Sequence, residues 1–120
     1  MQDFRHLGVW QKSHELTLKV YLISATLRKG HHFELSQQLG RAAMSIPANI
    51  AEGCGRSGDR EFRRFCRIAL GSGCELEYHL LLARDLGLLS AAAYDPLAAQ
   101  VVEVKRMLAG LIRSLGPAES

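Results

Sequence analysis

DREFRRFCRIALGSGCELEYHLLLARDL, residues 59–86, carries one pattern from end to end. Phe62, Cys66, Ala69, Gly73, Leu76, Leu80 and Ala83 recur at alternating steps of four and three, which keeps their side chains on one face of an α-helix. The pattern predicts a single helix on the order of 40 Å long, packed along a coiled-coil-like seam. Small residues at its centre, Ala69 and Gly73, invite a neighbouring helix to approach closely. A glycine inside a helix costs ~1 kcal/mol against alanine, so Gly71 and Gly73 together predict tight packing that offsets the penalty. Asp59 and Glu61 fall in the first turn, where the helix dipole favours anions.

Three more helices flank this one. The first is predicted over residues 9–27, with Leu16, Val20, Ile23 and Leu27 on one face. His14, Leu18, Tyr21 and Ala25 form an adjacent stripe, so a wide buried arc is expected. Arg28 and Lys29 suit the negative helix end, and Gly30 permits a left-handed cap. His31, His32 and Phe33 then read as a connection. The second helix is predicted over residues 35–52, its apolar face formed by Leu35, Leu39, Ala42, Ala43, Ile46 and Ile50. Pro47 removes a backbone donor inside it, which predicts a kink, or else a break at Ser45 with a restarted helix. Asn49 is placed to bind the groups so freed, and Gly53 and Gly55 end the segment. For the fourth helix, Asp95 reads as the N-cap, Pro96 as the first helical residue, and Gly116 with Pro117 as the stop. Leu97, Val101, Val104, Leu108, Leu111 and Leu115 repeat the four-three spacing, and residues 118–120 read as frayed.

No strand is predicted. Four amphipathic helices with short connections specify an all-α, antiparallel up-down-up-down four-helix bundle, with helix two kinked at Pro47 and a long helix three. At 120 residues the chain is one domain. Its composition, 48% hydrophobic and 22% charged, is that of a soluble globular protein, and apolar residues on several helix faces suggest self-association. The N-terminus lacks a signal-peptide pattern. The richest apolar stretch, residues 80–93, is interrupted by Arg84, Asp85 and Gly87, short of the ~20 residues a membrane span needs. The cytoplasm is the expected compartment, with no membrane partner. Cys54, Cys66 and Cys74 lack the spacing of a zinc or redox motif and read as free thiols. Cys66, between Arg63 and Arg67, is the one with a case for reactivity.

Few residues argue for chemistry. GCGRSG, residues 53–58, is glycine-rich but lacks the Lys-Ser/Thr ending of a phosphate-binding loop, and reads as a turn. No nucleophile elbow or HExxH motif occurs. Glu75 and His79 are four apart on helix three, yet a di-metal bundle needs two Glu-x-x-His motifs, and Leu76 stands three before His79 and Gln11 three before His14. No enzyme activity, metal or cofactor is expected. Charge is more informative. Arg56, Arg60, Arg63, Arg64 and Arg67 recur at short helical spacings along the start of helix three, with Arg41 on the preceding helix expected nearby. Guanidinium forks bind phosphate oxygens in pairs, which points to a nucleic-acid contact led by the backbone. The competing reading is a solvated face paired with Glu52, Asp59 and Glu61, or a salt-bridge network between subunits.

LGVWQKSHELTLKVY (residues 7–21), SIPANIAEGCGR (45–56) and EFRRFCRIALGSGCELEYHLLLARDLG (61–87) together resemble one bacterial family of four-helix-bundle proteins. Its members include proteins encoded within intervening sequences of large-subunit ribosomal RNA genes. SIPANIAEG is the most specific segment, and over the fourth helix only the pattern matches. The family is similar to the accessory variability determinant proteins of diversity-generating retroelements, basic barrel-shaped pentamers that work with a reverse transcriptase and its RNA. The resemblance implies a homopentamer without enzymatic activity. It also marks Trp10, Pro47, Asn49 and Glu52 as signature positions, with Trp10 a core or interface anchor and Asn49 and Glu52 structural hydrogen-bonding groups. The chain departs from those accessory proteins in its modest charge, +3 with a pI near 9.0, which weighs against a reverse-transcriptase partner. Five copies would still sum to about +15, a strong attraction for RNA or DNA. The alternative is a scaffold that binds protein partners.

Overall fold

The seven seam residues are all buried, and they run down a single helix that forms one wall of the core. The computed structural model describes residues 3–116. A short 3-10 turn, Phe4–His6, precedes α1 (Gly8–Lys29), α2 (Phe33–Cys54), α3 (Asp59–Asp85) and α4 (Ala91–Ser114), and there is no strand among the described residues. Side-chain contacts fix the directions. Between α1 and α2, Thr17 reaches Ala43 while Ser24 meets Ser36; between α3 and α4, Glu77 meets Lys105 while Arg63 reaches Leu115. Residue numbers rise on one helix as they fall on the other, so these neighbours are antiparallel. Ser45 with Ser72 and Gly53 with Phe62 and Phe65 show the same for α2 and α3. Lys12 with Glu103 and Gly8 with Met107 close the ring between α1 and α4. The result is an up-down-up-down bundle measuring 46 × 22 × 19 Å.

The buried stripe of α1 is narrower than expected. Leu16, Val20 and Leu27 are buried, but Leu18 and Tyr21 are 55% and 46% exposed, and His14 and Ala25 also face outward. Ser13 and Ser24 complete the inner face instead. Serine is small enough for close packing, and the Ser13 hydroxyl satisfies itself by donating to the Trp10 carbonyl at 3.0 Å. At the end of α1 the left-handed residue is His31 (φ 69°), not Gly30 (φ −83°). The His32 amide then reaches back to the Leu27 carbonyl at 2.9 Å, a Schellman-type closure, and Phe33 already belongs to α2.

Helix α2 runs without interruption through Pro47, so the break at Ser45 does not occur. The missing Pro47 amide leaves the buried Ala43 carbonyl without its helical donor. It is the Thr17 hydroxyl of α1, 3.1 Å away, that supplies one, sharing its proton with the Ser13 carbonyl at 2.8 Å. Asn49 binds the Ser45 carbonyl (2.8 Å) and hydroxyl (3.0 Å), not the group that Pro47 frees. Thr17→Val keeps the shape and removes the proton, so it is expected to cost about 1–3 kcal/mol in chemical denaturation, while Thr17→Ser stays near wild type.

The fourth helix begins earlier than its proline suggests. The Ser90 side chain accepts from the Ala93 amide at 3.2 Å, which makes Ser90 the N-cap in place of Asp95 and puts Pro96 at the sixth helical position. Pro96 is exposed, and so is Ala92, whose carbonyl it leaves without a helical donor at the protein surface. Leu97, Val101, Val104 and Leu108 are buried as the spacing requires. The expected stop at Pro117 and the frayed residues 118–120 lie outside the described residues.

Glycine roles also sort differently. An added Cβ at Gly71 would meet nothing within 4 Å, so close packing does not explain this residue. At Gly73 it would sit 3.1 Å from the Lys105 stem, whose ammonium pairs with Glu77 at 2.6 Å. The tightest approach is at Gly53, inside α2, where a Cβ would lie 2.9 Å from both the Phe62 ring and the Phe65 Cβ.

Candidate nucleic-acid interface

The first turns of α3 follow a glycine that the turn requires. Gly58 adopts φ 82°, ψ 161°, a conformation open only to glycine, and so carries the chain from α2 into α3. Beyond it, Arg60, Arg64 and Arg67 are exposed and, three to four residues apart, share one helix face. Arg64 is held by Glu61 through two hydrogen bonds of 3.2 and 3.3 Å. Those bonds hold the Glu61 carboxyl below the usual carboxylate range, so the clamp persists to more acidic pH than an unpaired glutamate would allow. Arg56 pairs with Glu52 at 2.7 Å, and the guanidinium groups of Arg56 and Arg64 both lie over the buried Phe65 ring, 5.1 and 4.6 Å from its centroid. Arg60 and Arg67 form no ion pair among the described residues, although Arg60 is near enough to Glu61 to help lower its carboxyl.

Two of the six arginines stand elsewhere. Arg63 is only 3% exposed, and its Nη1 donates to the Leu115 carbonyl at 2.8 Å, at the C-terminal end of α4. It flanks the core seam on the α4 side, so it serves the fold and not the exposed face. Arg41 is exposed on α2, but it lies one turn beyond Ser45, whose partner Ser72 is itself five residues past Arg67. The offset along the bundle is about 13 Å, too far to join the arginine stripe directly. Arg41 instead borders a groove of about 230 Å³ between α1 and α2 that the sequence reading missed. A usable signal existed: Ser24 and Ser36 occupy inward positions of otherwise apolar faces.

The signature residues have structural partners. Trp10 is half-buried, stacked on His14 (4.9 Å between centroids) and edge-on to Phe4 (4.9 Å), while Asn49 and Glu52 make the local bonds described above. His79 Nδ1 is buried without a hydrogen-bond partner. Among the described residues no three His, Cys, Asp or Glu side chains converge, and no helix is long and apolar enough to cross a membrane. Cys66, whose flanking arginines made the only case for reactivity, is fully buried, in keeping with an inert free thiol, and burial pushes it up to about 11; Cys54 is raised for the same reason. Cys74 is exposed. A thiol reagent at mildly alkaline pH is therefore expected to modify Cys74 rapidly, and Cys54 and Cys66 only after denaturation, as read by mass spectrometry.

An antiparallel four-helix bundle with arginines grouped near the start of its long third helix defines a small basic helical protein. The 23S rRNA-intervening sequence protein family matches residues 5–110, and the chain belongs to that family. A solved structure from Bacteroides thetaiotaomicron, described as a protein with unknown function from the S23 ribosomal protein family, superposes with a TM-score of 0.84 at 26% identity. The match covers 88% of this chain and 98% of that one. No curated protein matches the sequence.

Proposed function

We propose that the protein is a non-enzymatic, self-assembling cytoplasmic bundle that binds structured RNA through the exposed arginines of α3. The observation that carries this reading is the pair Arg60 and Arg67, exposed on one helix face and without an ion pair among the described residues, with Arg56 and Arg64 alongside over Phe65. Each guanidinium of that pair can displace a counterion from a phosphate, so binding is led by the backbone and sensitive to salt. Self-assembly multiplies that charge. It is supported by Leu18 and Leu22, one turn apart on α1, large apolar side chains left outside the core, and the resemblance favours five copies.

The test is binding of a structured RNA and of duplex DNA across a salt series, with mass in solution measured alongside. The wild-type oligomer should bind RNA with a steep salt dependence. The double variant Arg60→Glu/Arg67→Glu should lose most of that binding and flatten the log–log salt slope by roughly 1.5 to 2. An unchanged slope, or no binding by the wild-type protein at low salt, overturns the reading and leaves a protein-binding scaffold in its place.

A further inference from the structure

We propose that the groove between α1 and α2 is a second, independent anion site that takes the phosphate group of a nucleotide or sugar phosphate. Its lining is rich in donors and lacks carboxylates: Arg28 and Arg41 stand with the Tyr21 hydroxyl, the Gln37 amide and the Ser24 hydroxyl. Ser24 is the telling residue. It is 4% exposed, and its Oγ is buried without a hydrogen-bond partner, although a buried hydroxyl is ordinarily satisfied. Its neighbour Ser36 donates to the Ser24 carbonyl at 2.9 Å, which fixes the two helices at this point and leaves the Ser24 hydroxyl free for an occupant.

The charge of the groove comes from its arginines. Arg41 has one hydrogen bond, 3.3 Å to the neutral Gln38 side chain, so its charge remains uncompensated; Arg28 has no carboxylate partner among the described residues. The end of α1 and the start of α2 lie side by side here, so their opposed dipoles largely cancel and the two guanidinium groups set the potential. Gly40 keeps the wall low. An added Cβ there would press on the Tyr21 ring at 3.3 Å, whose hydroxyl lies 3.8 Å from the Met44 sulfur at the rim. A space of about 230 Å³ suits a phosphate with its sugar and is too small to enclose a larger ligand.

The site is tested by titrating the ¹⁵N-labelled full chain with inorganic phosphate, ribose 5-phosphate and AMP. Amide shifts should concentrate around Ser24, Arg28 and residues 36–41, saturating at millimolar concentration or below. Arg28→Ala and Arg41→Ala should each weaken binding about tenfold. Ser24→Ala should weaken it several-fold at unchanged melting temperature. The Arg60→Glu/Arg67→Glu variant should bind these probes like wild type, which separates this site from the RNA face. Equal binding of phosphate and AMP identifies a site for the bare anion, and preference for AMP or ribose phosphate identifies a phosphorylated metabolite; both support the proposal. No saturable shifts, shifts confined to residues 60–67, or full affinity in both arginine variants would overturn it.

Discussion

Arg63→Ala is expected to lower the stability of the bundle by about 2–3 kcal/mol and its melting temperature by roughly 10 °C. The guanidinium donates to the Leu115 carbonyl at the end of α4, where the helix has run out of its own amides. A charged donor makes this a strong hydrogen bond, and its loss strips a part-buried carbonyl at the end of α4 of its side-chain donor. The aliphatic stem is buried as well, so the truncation also removes packing. Arg63→Lys should recover part of the loss. Arg63→Glu should be worse than alanine, because it sets a carboxylate against a carbonyl oxygen. Thermal melts read this role directly. Were Arg63 part of the RNA face, Arg63→Ala would weaken RNA binding at an unchanged melting temperature, the opposite signature.

Gly53→Ala and Gly71→Ala are expected to move stability in opposite directions, although both place the same methyl in a helix. At Gly53 the methyl would sit 2.9 Å from the Phe65 Cβ, an atom fixed to the α3 backbone, as well as from the Phe62 ring. Ring rotation relieves one contact and not the other, so α2 and α3 must separate at a cost of about 1–3 kcal/mol. At Gly71 the methyl meets open space, and the gain in helix propensity is up to ~1 kcal/mol. Urea unfolding of the two variants beside wild type measures both. A neutral Gly53→Ala would mean that the helices are not in close contact there.

The α3 seam was legible because every member is apolar or small and the period never breaks. Partner geometry was not. Arg63 follows Phe62 and lies three before Cys66, which puts it beside the seam, but nothing in the spacing says which flank faces α4 or that a carbonyl waits there. The exposed stripe of Arg60, Arg64 and Arg67 survived, while Arg41 was expected near it because it lies on the preceding helix, when the offset between α2 and α3 decides. On α1, hydropathy favoured Leu18 and Tyr21 for burial over Ser13 and Ser24, yet small side chains that bond locally suit a close helix contact better. At α4, Asp95-Pro96 imitated a helix start so well that it masked Ser90, whose cap is visible only as a bond to Ala93. The groove at Ser24 depends on two helices meeting: the inward serines Ser24 and Ser36 mark the place, but not that Arg28 and Arg41 border one opening there.

Pro47 and Thr17 also index the helices they join. Two smooth helical faces rich in small residues can slide by a turn at little cost, because most apolar contacts are interchangeable. The Ala43 carbonyl removes that freedom. It has no amide of its own, and it accepts from one hydroxyl on α1 at one height. Shifted by a turn in either direction, α1 would carry the Thr17 hydroxyl out of reach of that oxygen. A residue usually regarded as a helix breaker here acts as a detent, selecting a single register between the first two helices and, through them, the mouth of the groove above.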